Sequence, residues 1–318
     1  MGVFASRWVR LLVSIGLLAV VIRLVDWRAI WAVLRGVDAA WVWVAVGLAA
    51  LDRLLLNYRW QLLLSARGLM LGFLRLLRVQ LAANFLGSFL PSTLGVDALR
   101  IAALCRAGLP TPQVVASTLI DRATIVVATL LFGSAMVLLL AGWRLPDELR
   151  TWVLLTTAAV CAACLAVLHP TVRRWISNRL LARLPERMHR LASDIASAAL
   201  AYRHQYRRMA WVALVTAVVF LIRILFTKSL ALACGADVNI ADLLLVIPIL
   251  WIVVMLPVTI GGIGLQDAGY VALLALVGVP PPIAVSMSLL EHFASRLVAL
   301  PGALFLAEVT GVPRQRVD

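Results

Sequence analysis

Eight apolar stretches, near residues 8–25, 38–64, 79–107, 113–141, 151–169, 210–234, 243–277 and 283–309, alternate with shorter segments rich in arginine. Several run for 18 residues or more, enough for a helix to cross a hydrocarbon core of about 30 Å, so the pattern predicts an all-α polytopic membrane protein. The first, Trp8 to Val25, has Arg7 and Arg10 at its start, lacks a small-x-small cleavage pattern behind it and reads as a retained span.

Polar residues inside these stretches recur after 170 residues. Trp41-Val42 returns as Trp211-Val212, Leu51-x-Arg53-Leu-Leu as Leu221-x-Arg223-Ile-Leu, and Asp97-Ala98 as Asp267-Ala268. Gly108-Leu-Pro110 returns as Gly278-Val-Pro280, and Leu119-Ile-Asp121 as Leu289-Leu-Glu291. Pro91-x-x-x-Gly95 has its counterpart in Pro257-x-x-x-Gly261, and the added Gly262-Ile-Gly264 restores the offset before the aspartate. A duplicated half carrying its own intramembrane charges is a signature of many transporter folds.

Composition agrees, with 63% hydrophobic residues, 14% charged and a mean hydropathy of +1.00. No hydrophilic stretch is long enough for a separate soluble domain. The net charge of +14 would suit nucleic acid, but the arginines cluster between spans, which points to the membrane surface instead. Residues 170–209 carry nine of them against Glu186 and Asp194 and are predicted to be cytoplasmic. Within that segment Ile176, Leu180, Leu184, Met188, Leu191, Ile195 and Tyr202 fall at helical spacing. They predict a basic amphipathic stretch, broken near Pro185, that lies on anionic inner-leaflet lipid; a solvated linker is the plainer alternative. Cys161 and Cys164 sit in an apolar span with no acid or histidine nearby and read as small packing residues, not as a redox or metal site.

Residues 65–78, 100–112 and the tail with Arg314 and Arg316 are basic and predicted internal, as are both termini; 142–150 and 235–242 are balanced or acidic and predicted external. A full crossing by residues 79–90 would put 65–78 and 100–112 on opposite sides. The charges therefore predict a re-entrant hairpin with Pro91 to Gly95 at its tip, and a second one, entering from outside, with its tip at Pro257 to Gly264. The expected fold is two inverted repeats, residues 1–141 and 142–318, each of three spans plus one re-entrant helical hairpin; eight ordinary spans with exposed motif loops is the alternative.

Charges inside the spans are the candidate chemistry. Counting from span ends places Arg53 and Asp121 both roughly 12 Å above the cytoplasmic face, so Arg53 is expected to pair with Asp121, and by the repeat Arg223 with Glu291. Such residues either lock the two units together or face a wet cavity where guanidinium groups grip phosphate. Asp97 and Asp267 are expected as helix N-caps or as parts of an anion site, and His292 with Arg296, one turn on, faces the same interior.

The two tips with their flanks, Asn84 through Pro91, Gly95, Asp97 and Arg100 to Asp121-Arg122, and Leu256-Pro257 through Gly261, Gly262 and Gly264 to Gln266-Asp267, resemble the flippase-like family related to the membrane region of lysylphosphatidylglycerol synthase. The resemblance covers nearly the whole chain. It implies a lipid-handling integral protein of the bacterial or archaeal cell membrane that moves amphipathic lipids between leaflets. The re-entrant arrangement itself places a polar head-group cleft between the hairpins, with Pro91, Gly95, Pro257, Gly261, Gly262 and Gly264 expected to form its gate. Gln266-Asp267 stand where the family commonly has a basic residue and a glutamate. No counterpart of the synthase's aminoacyl-transfer domain and no phosphate-loop motif is present in this sequence, so the expectation is a lipid translocase without metal or cofactor. A membrane enzyme or accessory subunit acting on lipid-linked phosphate or sugar is the alternative, and a homo-oligomer or a lipid-synthesis partner is left open.

Overall fold

The computed structural model describes residues 27–88, 93–140, 147–168, 186–254 and 264–310. The first apolar stretch (8–25), the tips with Pro91, Pro257, Gly261 and Gly262, residues 170–185 and the tail from 311 lie outside the described residues. The described chain is helical, without strands: α1 Trp27–Arg35, α2 Ala39–Ala66, α3 Phe73–Gly87, α4 Thr93–Arg106, α5 Thr111–Leu140, α6 Asp147–Leu168, α7 Glu186–Leu200, α8 Tyr206–Ala233, α9 Ile240–Val254, α10 Leu265–Ala275, α11 Pro281–Ala299, and α12 Leu306–Thr310 after a 3-10 turn at Leu300–Phe305. Four helical stretches, Ala39–Ala66, Thr111–Leu139, Tyr206–Ala233 and Pro281–Thr310, are long and apolar enough to cross a membrane.

The series α2-α3-α4-α5 returns as α8-α9-α10-α11. Helices α2 and α8 each have 28 residues, and α3 and α9 each have 15. At 1.5 Å per residue the 15-residue helices are roughly 22 Å long, short of a bilayer core. They pack pairwise, α3 on α4 and α9 on α10, as the arms of the two expected hairpins. The helix endings repeat as well. Gly68 and Gly235 close α2 and α8 at φ 75° and 77°, and Gly108 and Gly278 end α4 and α10 at φ 87° and 81°. At each one the next residue's N–H reaches five residues back, as in Leu69 to Leu64 and Ala236 to Ala231, the bond of a Schellman ending in which glycine adopts the left-handed conformation without a Cβ penalty. Pro110 and Pro280 then lead into α5 and α11.

Helices α2 and α8 form the main contact between the halves and run antiparallel. The Asp38 N–H donates to the Ala233 carbonyl at 3.0 Å, and Arg208 Nη1 donates to the Ser65 carbonyl at 2.6 Å at the opposite end. A second contact is reciprocal. Gly133 on α5 packs against Pro248 of α9, where a Cβ would lie 3.1 Å from the proline Cβ; Gly302, in the turn after α11, packs on α3 so closely that a Cβ would collide with the Leu81 carbonyl. Each half's last helix thus closes over the other half's hairpin.

Burial is inverted relative to a water-soluble protein. Arg59 is 1% exposed while Leu138 is 70% and Trp152 is 70% exposed, so apolar side chains face outward, toward lipid, and charges inward. The short helix α1, absent from the sequence reading, inserts Ile30 against Val285. Tyr202, expected on the lipid-facing stripe of the basic segment, is instead buried and donates its hydroxyl to the Leu63 carbonyl at 2.9 Å. Its burial keeps the phenol well above its ordinary pKa and so protonated as a donor. Helix α7 packs on α5, and the segment is already α8 from Tyr206.

Leu64, Leu71, Leu104, Leu109, Val114 and Val309 share one cluster beside the Tyr202 and Arg208 contacts, whereas Ala45, Cys234, Val238, Val279 and Ala284 belong to another beside the Asp38 contact. In a variant lacking the four native cysteines, Met70→Cys, Ala107→Cys and His204→Cys are expected to react with an impermeant thiol reagent from one side and Asn239→Cys from the other. Labelling of positions 107 and 204 from opposite sides would overturn this arrangement.

Candidate functional site

A cavity of about 320 Å³ opens between the two halves, lined from α2 to α5 and from α8 to α11. Of the charged residues singled out from sequence, Arg53, Asp97, Arg100, Asp121, Arg122, Arg223, Glu291, His292 and Arg296 all line it. Asp267 is buried and bonded to His292 beside it. Gly95 lies within α4, and Gly264 starts α10 at φ 85°.

The pairings differ from those counted along the spans. Asp121 accepts from Arg59, not Arg53, at 3.0 Å from Nε and 2.8 Å from Nη2. Helix α2 runs on to Ala66, so Arg53 lies roughly 20 Å from that end and not the 12 Å expected. Arg223 binds Asp52 at 2.8 Å, and Glu291 accepts instead from the Tyr270 hydroxyl. Asp52 precedes Arg53 and has no acidic counterpart in the second half, where Ile222 stands. Asp97 is no N-cap: it lies inside α4 and accepts from Arg122 and from Arg100, the latter at 3.3 Å. Asp267 does act at its helix start, accepting from the Gly264 N–H at 2.9 Å as well as from Ser288 at 2.5 Å and contacting His292 Nε2 at 3.2 Å.

The contacts themselves repeat. Asp97 with Arg122 and Asp267 with His292 are both 25 residues apart and displaced by 170; Arg100 with Asp121 and Tyr270 with Glu291 are both 21 apart with the same displacement. The first quartet pairs two aspartates with two arginines, whereas the second has a histidine and a tyrosine where the arginines stand.

Two guanidinium planes are held by indole rings, Arg100 over Trp60 at 3.8 Å and Arg223 over Trp251 at 4.2 Å. Arg59, Asp52, Trp60, Trp251 and Tyr270 were missed in the sequence. Arg59 and Asp52 had a usable signal, a charge within an apolar span, and Tyr270 lies 170 residues after Arg100; the two tryptophans had none.

In all, six arginines (53, 59, 100, 122, 223 and 296) and four carboxylates (52, 97, 121 and 291) line the cavity, a formal surplus of two positive charges with His292 neutral. Among the described residues no three His, Cys, Asp or Glu side chains gather as a metal site would need. The arrangement places a formal positive surplus within an apolar bundle. The profile of one family, described as the lysylphosphatidylglycerol synthase TM region, matches residues 7–302. No curated protein matches the chain.

Proposed function

Because the chain belongs to the family of the lysylphosphatidylglycerol synthase transmembrane region, a lipid-handling membrane family, we propose that it moves an anionic amphipathic lipid between leaflets, with the head group in the cavity and the acyl chains in the bilayer. The observation that carries this reading is the cavity's surplus of arginine between two repeated halves, since a polar, positively charged chamber in an apolar bundle has little structural use unless something anionic enters it. The antiparallel course of α2 and α8 supports an inverted relation between the halves, residues 1–141 and 142–318. That relation would supply two mirror-related conformations for alternating access. The basic end with Arg67, Arg75, Arg78, Arg106, Arg203 and Arg207 is then cytoplasmic, and the two hairpin tips, with Pro91, Gly95, Pro257, Gly261, Gly262 and Gly264, form the gate.

The purified chain in vesicles is expected to equilibrate a fluorescent anionic phospholipid between leaflets faster than protein-free vesicles do. Gly262→Leu is expected to abolish that movement while leaving the protein monodisperse and as heat-stable as the parent. A stable, fully active Gly262→Leu variant would remove the tip from the gate. Absence of movement by the parent under an imposed pH gradient and without one would overturn translocation by this chain alone.

A further inference from the structure

We infer that Glu291 is a proton-binding site opening on the cavity, and that the proton bound there travels with the anionic head group, which makes the chain a proton–lipid cotransporter. The inference rests on the proposed reading of the cavity as a head-group site and adds the coupled ion and the direction of coupling.

The repeat isolates this residue. Its counterpart in the first half, Asp121, accepts two N–H groups of Arg59 and faces Arg100 at 3.7 Å, so guanidinium groups compensate its charge. Glu291 lines the same cavity from the second half and is nearly as buried, 7% exposed against 4%. It accepts on Oε2 from the Tyr270 hydroxyl, a neutral donor, and among the described residues it forms no ion pair.

The charged groups around it are engaged elsewhere. On α8, Arg223 binds Asp52 of α2 and stacks on Trp251. On α2, Arg53 acts on Glu291 through space, without a bond. On α10, Asp267 adds a like charge, and it is this aspartate that His292 contacts, at 3.2 Å. Arg296, further along α11, is exposed at the cavity. Helix α1 meets α11 through Ile30 on Val285, and α3 brings the neutral Gln80 and Asn84 to the cavity. A buried carboxylate without a cation of its own sheds its charge by taking up a proton, and carboxyls so placed within spans mark proton paths.

The charge of the head group fixes the direction of coupling. An ionised Glu291 repels an anion and competes with it for Arg53 and Arg223, whereas a protonated Glu291 leaves both arginines to the head group. Proton and anion therefore favour each other's binding reciprocally, and each cancels the other's charge on the way across. The proton comes from water on one side to form the carboxyl O–H bond; breaking that bond returns it to water on the other side and regenerates the carboxylate.

Infrared spectra of the full-length chain in maltoside micelles, from about pH 5 to about pH 9, read the proton without any movement of lipid. A carboxylic-acid carbonyl band that fades as the pH rises is expected in the parent and is expected to be missing from Glu291→Gln. Should that variant fail to fold, Tyr270→Phe, which withdraws the donor from the ionised form, is expected to move the band's midpoint to higher pH. No band dependent on Glu291, or a midpoint unmoved in Tyr270→Phe, would overturn the site. Coupling is read in phosphatidylcholine vesicles that hold a fluorescent, singly charged anionic phospholipid and a trapped pH-sensitive dye. With the outside more acid by about one pH unit, the parent is expected to acidify the lumen while it gathers the lipid in the inner leaflet, toward about tenfold over the outer at one proton per lipid. Protein-free and Glu291→Gln vesicles are expected to do neither on the same timescale. Lipid indifferent to the gradient or gathered in the outer leaflet would overturn the coupling, as would a Glu291→Gln protein that responds like the parent because His292 carries the proton. A Glu291-dependent band in a parent that exchanges no lipid sinks the translocase reading alone, and exchange by a parent without that band sinks the proton site alone.

Discussion

Replacing Asp121 with asparagine is expected to destabilise the protein by about 3–5 kcal/mol, the cost of removing one member of a buried ion pair, and to abolish lipid movement. Arg59 is 1% exposed, and Asp121 receives two of its N–H groups. Its other contact, Thr216 Oγ1 at 3.5 Å, is neutral and at the limit of a hydrogen bond. Without the carboxylate the guanidinium would be buried uncompensated, and Arg100, which faces Asp121 at 3.7 Å, would lose a neighbour as well. Water reaching the cavity would bring the loss toward the lower figure. The double variant Arg59→Met with Asp121→Leu removes both charges and is expected to recover most of the stability without recovering movement. Thermal melting of the three proteins in one detergent, alongside leaflet exchange, is the measurement. An Asp121→Asn protein melting within a degree or two of the parent would show that the pair carries no such weight.

Gly302→Ala is expected to cost roughly 3 kcal/mol, at the upper end of what overpacking does. The obstacle is backbone: the new methyl would meet the Leu81 carbonyl and lie 2.9 Å from the Ala82 nitrogen, so no side-chain rotation relieves it. Gly133→Ala, its counterpart across the repeat, meets a proline Cβ at 3.1 Å and should cost about 1 kcal/mol. Gly47→Ala finds nothing within 4 Å in the middle of α2 and should be neutral or stabilising by up to about 1 kcal/mol. Melting temperatures in the order Gly47→Ala, Gly133→Ala, Gly302→Ala, highest to lowest, are the expected outcome. A Gly302→Ala variant as stable as Gly47→Ala would contradict the close packing of the turn on α3.

The helices were legible because hydrophobic length and punctuation act locally. Spans expected at 38–64 and 210–234 appear as Ala39–Ala66 and Tyr206–Ala233, and the glycines at 68, 108, 235 and 278 mark ends that only a residue free to adopt positive φ closes well. The repeat was legible too, and Arg53, Asp97, Asp121, Arg223 and Glu291, which it singled out, line one cavity. Partner choice was not. A helix offers a new facing residue every 100°, so an error of under two turns in depth exchanges Arg59 for Arg53, and Asp52 becomes visible as the partner of Arg223 only once α2 and α8 are seen to cross antiparallel. The stacking of Arg100 on Trp60 is a property of rotamers, and no spacing in the sequence encodes it.

The reciprocal clasp sets a schedule for the nascent chain. Leu81 and Gly302 are separated by some 220 residues, which at about 5–20 residues per second means that α3 emerges roughly 10–45 s before the turn that closes over it exists. Through that interval the backbone of α3 at Leu81 and Ala82 lacks the turn that packs on it. The delay in the other direction is about half as long, since Gly133 is already made when Pro248 arrives. A chain stopped after the first repeat would therefore keep its own hairpin permanently open, so the duplication yields two halves that mature only together.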